Sequence, residues 1–165
     1  MRYVPKAPKA ERAAWREKAM DFSERGELDS VIELWLAAKE TERLARRLEN
    51  ASDGELESLS HYTTEPAARR LAKTHPGVAA KVFRALCMRV VDEGKSQYYF
   101  AALSNLEKAK NCYRSAGLDA QWRALVSEIR RKHHRKSGFM PGFERIAGGA
   151  GSRKARSFAK SAPKR

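Results

Sequence analysis

Apolar residues recur at the period of an α-helix along most of this chain, and that spacing limits its fold more than any other feature. Between 76 and 94 they fall at Ala79, Val82, Phe83, Leu86 and Val90, one face of a helix. No segment sustains the period-two alternation of a strand bounded by hairpin turns, so no sheet is expected. The breaks between stripes carry the chemistry of helix ends. Pro8 and Gly26 bound a helix at about 9–25 with Trp15, Ala19 and Phe22 on one side. Helices at about 27–39 (Leu28, Val31, Ile32, Trp35, Leu36) and 41–50 (Leu44, Leu48) follow. Ser52-Asp53-Gly54-Glu55 has the form of a capping box and should open a short helix carrying Leu56, Leu59 and Tyr62.

Pro66 suits the first turn of another short helix that ends near Thr74, and Pro76 repeats the device for the helix ending at Gly94. Ser96 can cap the next, whose stripe is Tyr99, Leu103, Leu106, Ala109 and Tyr113 and whose stop is Gly117. Tyr98 and Phe100 widen its apolar arc, which predicts an interior helix packed on two sides. Asp119 caps the last, with Trp122, Leu125, Val126 and Ile129 inward. The fold class is therefore all-α. Eight helices on short connections predict antiparallel hairpins stacked as an irregular α-solenoid.

Charge is distributed unevenly. Of a formal net +14, residues 130–165 hold 12 Lys/Arg against one acid, and the first 18 hold six against two. The middle is near neutral, which describes basic arms on a balanced body. The arrangement predicts a flexible basic N-terminus over 1–8, one all-helical domain over 9–143 and a disordered basic tail over 144–165, where Gly, Ser, Ala and Lys replace periodicity. No apolar run reaches the length of a membrane span and no signal-type stretch opens the chain. Two cysteines, Cys87 and Cys112, suit neither a disulfide framework nor a four-cysteine zinc site, so a reducing cytoplasmic setting is expected.

Residues 76–117 form, in outline, a helix pair of the tetratricopeptide kind, with Tyr99, Ala102, Ala109, Tyr113 and Gly117 in order, although no 34-residue period recurs. Longer stretches carry a second likeness. Glu33-Leu34-Trp35-Leu36-Ala37-Ala38, His75-Pro76-Gly77-Val78-Ala79, Lys95-Ser96-Gln97-Tyr98-Tyr99-Phe100-Ala101-Ala102-Leu103, Lys108-Ala109-Lys110-Asn111-Cys112-Tyr113, Trp122 and the basic run after Ile129 resemble the C-terminal helical region of bacterial SWIM zinc-finger family proteins over about 25–143. The Cys-x-Cys and Cys-x-His pairs of the SWIM motif are missing. The resemblance therefore implies a helical companion to such a module, acting as a separate polypeptide, without its zinc.

No constellation points to catalysis. His133 and His134 project about 100° apart on a helix and do not chelate as an i, i+4 pair would. The surrounding run 130–136 reads either as a solvated terminus matched to the helix dipole or as a phosphate-binding element. Neither cysteine has a neighbouring base in sequence. His61 and His75 sit at helix ends, and the glycines form no phosphate-cradling fingerprint. The chain is expected to be a non-enzyme with no cofactor, metal or small-molecule substrate.

The predicted role is a helical scaffold for a protein partner, its groove marked by Tyr98 and Phe100. A basic arm would hold DNA or RNA without sequence readout through Arg130, Arg131, Lys132, Arg135, Lys136, Arg145, Arg153, Lys154, Arg156, Lys160, Lys164 and Arg165. The alternative is a nucleic-acid-binding accessory protein acting chiefly through that arm. Phe139-Met140-Pro141-Gly142-Phe143 either folds back over the stack or docks elsewhere. Removal of 138–165 is expected to abolish most nucleic-acid binding and leave helix content and thermal midpoint nearly unchanged.

Overall fold

The computed structural model describes residues 9–23 and 26–148, with side chains from Glu11 onward. Helices are α1 (Lys9–Ser23), α2 (Leu28–Ala38), α3 (Thr41–Asn50), α4 (Asp53–Ser58), α5 (His61–Leu71), α6 (Pro76–Asp92), α7 (Tyr99–Ser115), α8 (Asp119–His133) and α9 (Met140–Gly148), with a 3-10 turn at Ser96–Tyr98 before α7. There is no strand among the described residues. The expected flexible 1–8 and the tail beyond 148 lie outside them.

Local chemistry accounts for most boundaries. At α4 the Ser52 hydroxyl accepts the Glu55 N–H (3.2 Å) while the Glu55 carboxylate accepts the Ser52 N–H (2.7 Å), the reciprocal capping box. Three helices end on a left-handed residue with paired backbone bonds back into the last turn: Lys39 after α2, Gly94 after α6 and Gly117 after α7. Glycine suits φ of +68° and +70°, whereas Lys39 at 61° carries a Cβ through the same conformation.

Three predicted starts shift. Pro66 does not open a helix but sits inside α5, which begins at the Ser60 cap six residues earlier. The inward face Thr63, Thr64, Ala67, Ala68 and Leu71 runs straight past the proline, so burial outweighs one missing backbone bond. Tyr62 accordingly belongs to α5, not α4, and is exposed. The other two are slight: Ser96 lies in the 3-10 turn and does not cap α7, which begins at Tyr99, and Asp119 is the first residue of α8 rather than its cap; none of Lys95, Tyr98 and Leu118 makes a side-chain cap bond.

α6 is the most enclosed helix, while α7 is packed by α6 on one side and by α8 and α9 elsewhere. α6 packs against α3, α4, α5 and α7 and buries Ala79, Ala80, Val82, Phe83, Ala85, Leu86, Cys87, Met88 and Val91, most of its circumference. α7 turns one face to α6, on Ala102, Leu106, Ala109, Cys112 and Tyr113, and leaves Phe100 in water. Small Ala102 and Ala109 permit that close approach. Cys112 is thus a core residue despite lying off the predicted stripe.

α1 departs from its predicted burial. Met20 is the one buried residue among its described side chains, while Trp15, Ala19 and Phe22 are exposed. Polar contacts hold this helix: Arg16 donates to Ala38 O and Glu40, Arg43 bridges Glu17 and Asp21, and the Trp35 indole N–H donates to the Ser23 hydroxyl at 2.9 Å.

The segment after α8 folds back over α7. Phe139 and Phe143 are fully buried, with Phe139 edge-on to Tyr99 (ring centroids 5.5 Å) and stacked on Phe143 (5.9 Å). Gly142 lets α9 seat: a Cβ there would fall 2.3 Å from the Leu103 methyl. Helix therefore continues past residue 143 to Gly148, and removal of 138–165 would take two core phenylalanines with it. Such a truncation alters the fold as well as the charge.

Candidate functional site

The basic end of α8 is formed by a helix whose inward side is Leu125, Val126, Ile129 and His133. That register leaves Arg130, Arg131, Lys132, His134 and Arg135 outside. Their charges are not equivalent. Arg130 grips both oxygens of Glu144 on α9 (2.9 and 2.7 Å), and the same bonds hold that carboxyl below its ordinary range. Lys132 pairs with Glu128 one turn back at 2.5 Å, which likewise lowers the Glu128 carboxyl. Lys136 is half-buried, with its Nζ over Gly94 at the end of α6. Arg131, Arg135 and Arg145 are exposed, and their side chains have no hydrogen-bond or ion-pair partner among the described residues. Of the predicted contact residues that are described, these three are both exposed and unpaired. Arg153, Lys154, Arg156, Lys160, Lys164 and Arg165 lie outside the described residues.

His133 is not part of the solvated terminus. It is 6% exposed and its Nε2 stands 3.1 Å from Asp92 at the end of α6. Burial pushes the imidazole below its ordinary 6.5, against the pull of Asp92. His134 points away, with Nδ1 3.2 Å from Arg131 O. His75 contacts Glu42 and Thr74, and His61 lies against Tyr62. No group of three His, Cys, Asp or Glu able to hold a metal occurs among the described residues. Burial drives the Cys87 thiol up to about 12 and raises Cys112 as well, the reverse of an activated thiolate.

Tyr98 and Phe100, expected to share one groove, line two. Tyr98 borders a cleft of about 420 Å³ with His61 and Tyr62, between the start of α5 and the α6–α7 junction. Its charges are internally matched, Glu93 with Lys95 (2.5 Å) and Arg89, and Glu65 with Arg69 and Lys108. Phe100 is 87% exposed at one end of a groove of about 570 Å³ between α7 and α9. Leu103 and Ile146 form its apolar floor, and Lys110, Arg114 and Arg145 its basic rim. The Lys110 ammonium caps the end of α9 by donating to Ile146 O and lies 5.8 Å from the Trp122 ring centre. The Arg114 side chain, like that of Arg145, is exposed without a partner among the described residues.

A third cleft, of about 620 Å³, contains Lys81, Arg84 and Tyr113. It is closed electrostatically by Arg84 on Asp53 (2.6 Å) and by Lys81 donating to the Glu49 and Ala51 carbonyls.

The α7–α9 groove was not legible in the sequence. Phe100, Leu103, Glu107, Lys110 and Arg114 do share one face of α7, which is a visible signal. Its second wall exists because α9 returns to that face, and no local pattern states where a folded-back segment lands.

Comparison with protein-family models, curated proteins and solved structures yields no match to this chain. Among the described residues no helix is long and apolar enough to cross a membrane.

Proposed function

We propose that this chain is a non-enzymatic helical scaffold that docks a protein partner on its body and holds nucleic-acid phosphates through its basic C-terminal arm. The observation that carries it is the contrast between spent and unspent groups. Carboxylates and cations across the body neutralise one another, while Trp15, Phe22, Tyr62 and Tyr98 stand in solvent. Tyr62 and Tyr98 border one cleft, an exposed aromatic surface of the kind a protein partner covers. The contacts α2–α3, α5–α6, α6–α7 and α7–α9 support an irregular stack of antiparallel helices. The likeness to the helical region of SWIM zinc-finger proteins belongs to this reading, with the chain as a companion subunit in the cytoplasm.

Arg131 and Arg135, exposed and unpaired, favour the alternative weighting in which the arm is the main functional element. The six Lys/Arg of 149–165 extend it. If they neutralise about six phosphates, duplex affinity falls about 10³-fold between about 50 and 200 mM salt. The test is anisotropy of a labelled duplex with the full chain and with a full-length variant whose six tail cations are Gln. Loss of binding and of salt dependence in the variant is expected; equal binding refutes the arm. Cross-linking in native lysate after nuclease treatment tests the body, where partner cross-links should map to the exposed aromatics. Cross-links confined to the tail would refute docking on the helices.

A further inference from the structure

We propose that the α7–α9 groove holds a single-stranded nucleic-acid segment, one base stacked on Phe100 and the backbone running past Arg145 toward Arg114. The inference rests on the reading of the arm as a phosphate-binding element and adds where, and in which form, the nucleic acid is received.

Phe100, Leu103, Glu107, Lys110 and Arg114 follow one another at spacings of three and four, a straight line down α7. At about 1.5 Å per residue that line is about 21 Å long, room for a few nucleotides. The aromatic platform is at one end and a free guanidinium at the other. Arg145 and Ile146 of α9 form the opposite wall. Lys110, Arg114 and Arg145 against Glu107 leave the groove positive, and the two arginines have no carboxylate to displace before meeting a phosphate. The cleft at Tyr98 and the cleft at Arg84 lack this property, since their cations are already paired.

The chain leaves α9 at Gly148, two residues beyond Ile146, and six Lys/Arg follow within 17 residues. A paired base offers its edges but not its face, so a ring standing 87% exposed at the groove suits an unpaired base.

The test is fluorescence anisotropy of the full-length protein with a labelled single strand of about 12 nucleotides and with a duplex of equal length. Phe100→Ala should lower single-strand affinity by about 5- to 150-fold and leave duplex affinity unchanged. Arg145→Gln should reduce the single-strand salt slope by about 0.7. Because the Phe100 ring is exposed, circular dichroism of Phe100→Ala should match the parent. An equal loss on both ligands, or no loss on either, overturns the groove. If the tail variant alone abolishes binding while the groove variants are silent, the groove falls and the arm stands; if the full chain binds neither ligand, the arm falls too. Phe100-dependent binding of a helical Glu/Leu peptide in place of the oligonucleotide would also overturn the proposal and make the groove a site for acidic peptides.

Discussion

Phe139→Ala removes a ring that is fully buried between Tyr99 of α7 and Phe143 of α9. Loss of a buried phenylalanine leaves a cavity and costs about 3–5 kcal/mol. Each aromatic contact it breaks adds part of about 0.5–1.5 kcal/mol to the upper end of that range. Against a typical total stability of about 5–15 kcal/mol the variant should fold, but with little margin. At a slope of about 2 kcal/mol per molar, its urea midpoint should fall by about 2 M. The assay is urea titration followed by far-ultraviolet circular dichroism, with limited proteolysis of the 138–148 segment in parallel. Phe143→Ala should cost a similar amount, and the double variant should deviate from the sum by about 0.5 kcal/mol or more, because the two rings touch. A loss under about 1 kcal/mol, with the segment cleaved and the remaining helices unaffected, would show that α9 is an appendage rather than part of the core.

Three further outcomes follow from local geometry. The unfolded His133 imidazole takes up its proton before the folded one, so its contribution to stability is complete above about pH 6.5 and is lost as pH falls below that; urea midpoints between about pH 7.5 and 5.5 should decline less in His133→Gln, and an identical decline refutes the assignment. Native protein at about pH 7.5 should leave Cys87 unmodified by a thiol reagent until urea is added, since its thiol is fully buried and pushed up to about 12; rapid labelling of Cys87 would contradict the core placement. Lys39→Gly should raise stability by about 0.5–1 kcal/mol, the left-handed strain relieved less the added freedom of the unfolded glycine; a lower urea midpoint would refute it.

Helix positions were readable because apolar spacing and end chemistry agree at most boundaries. The Ser52–Glu55 box, the Gly94 and Gly117 stops and the start at Pro76 all lie where their residue types place them. Pro66 misled because its own preference is local, whereas the buried face of α5 is a tertiary demand that runs through it. Tyr98 and Phe100 misled because aromatics count as apolar wherever they point; whether an aromatic is core or surface depends on what packs over it. α6 encloses its core with alanines and a cysteine, residues that carry little hydrophobic weight individually. The candidate site was half visible. Sequence identifies the basic run, but only the fold reveals that Glu144 and Glu128 occupy two of its cations and that His133 turns inward.

The position of α6 has a consequence for how the molecule is made. Its walls come from both directions along the chain, α3 to α5 from residues synthesised before it and α7 from residues synthesised after. A ribosome that has delivered only the N-terminal half thus presents an oily flank with nothing to lie against. Until Tyr99–Ser115 emerges the nascent chain is sticky, and the short Gly94–Ser96 link brings the missing wall next in line.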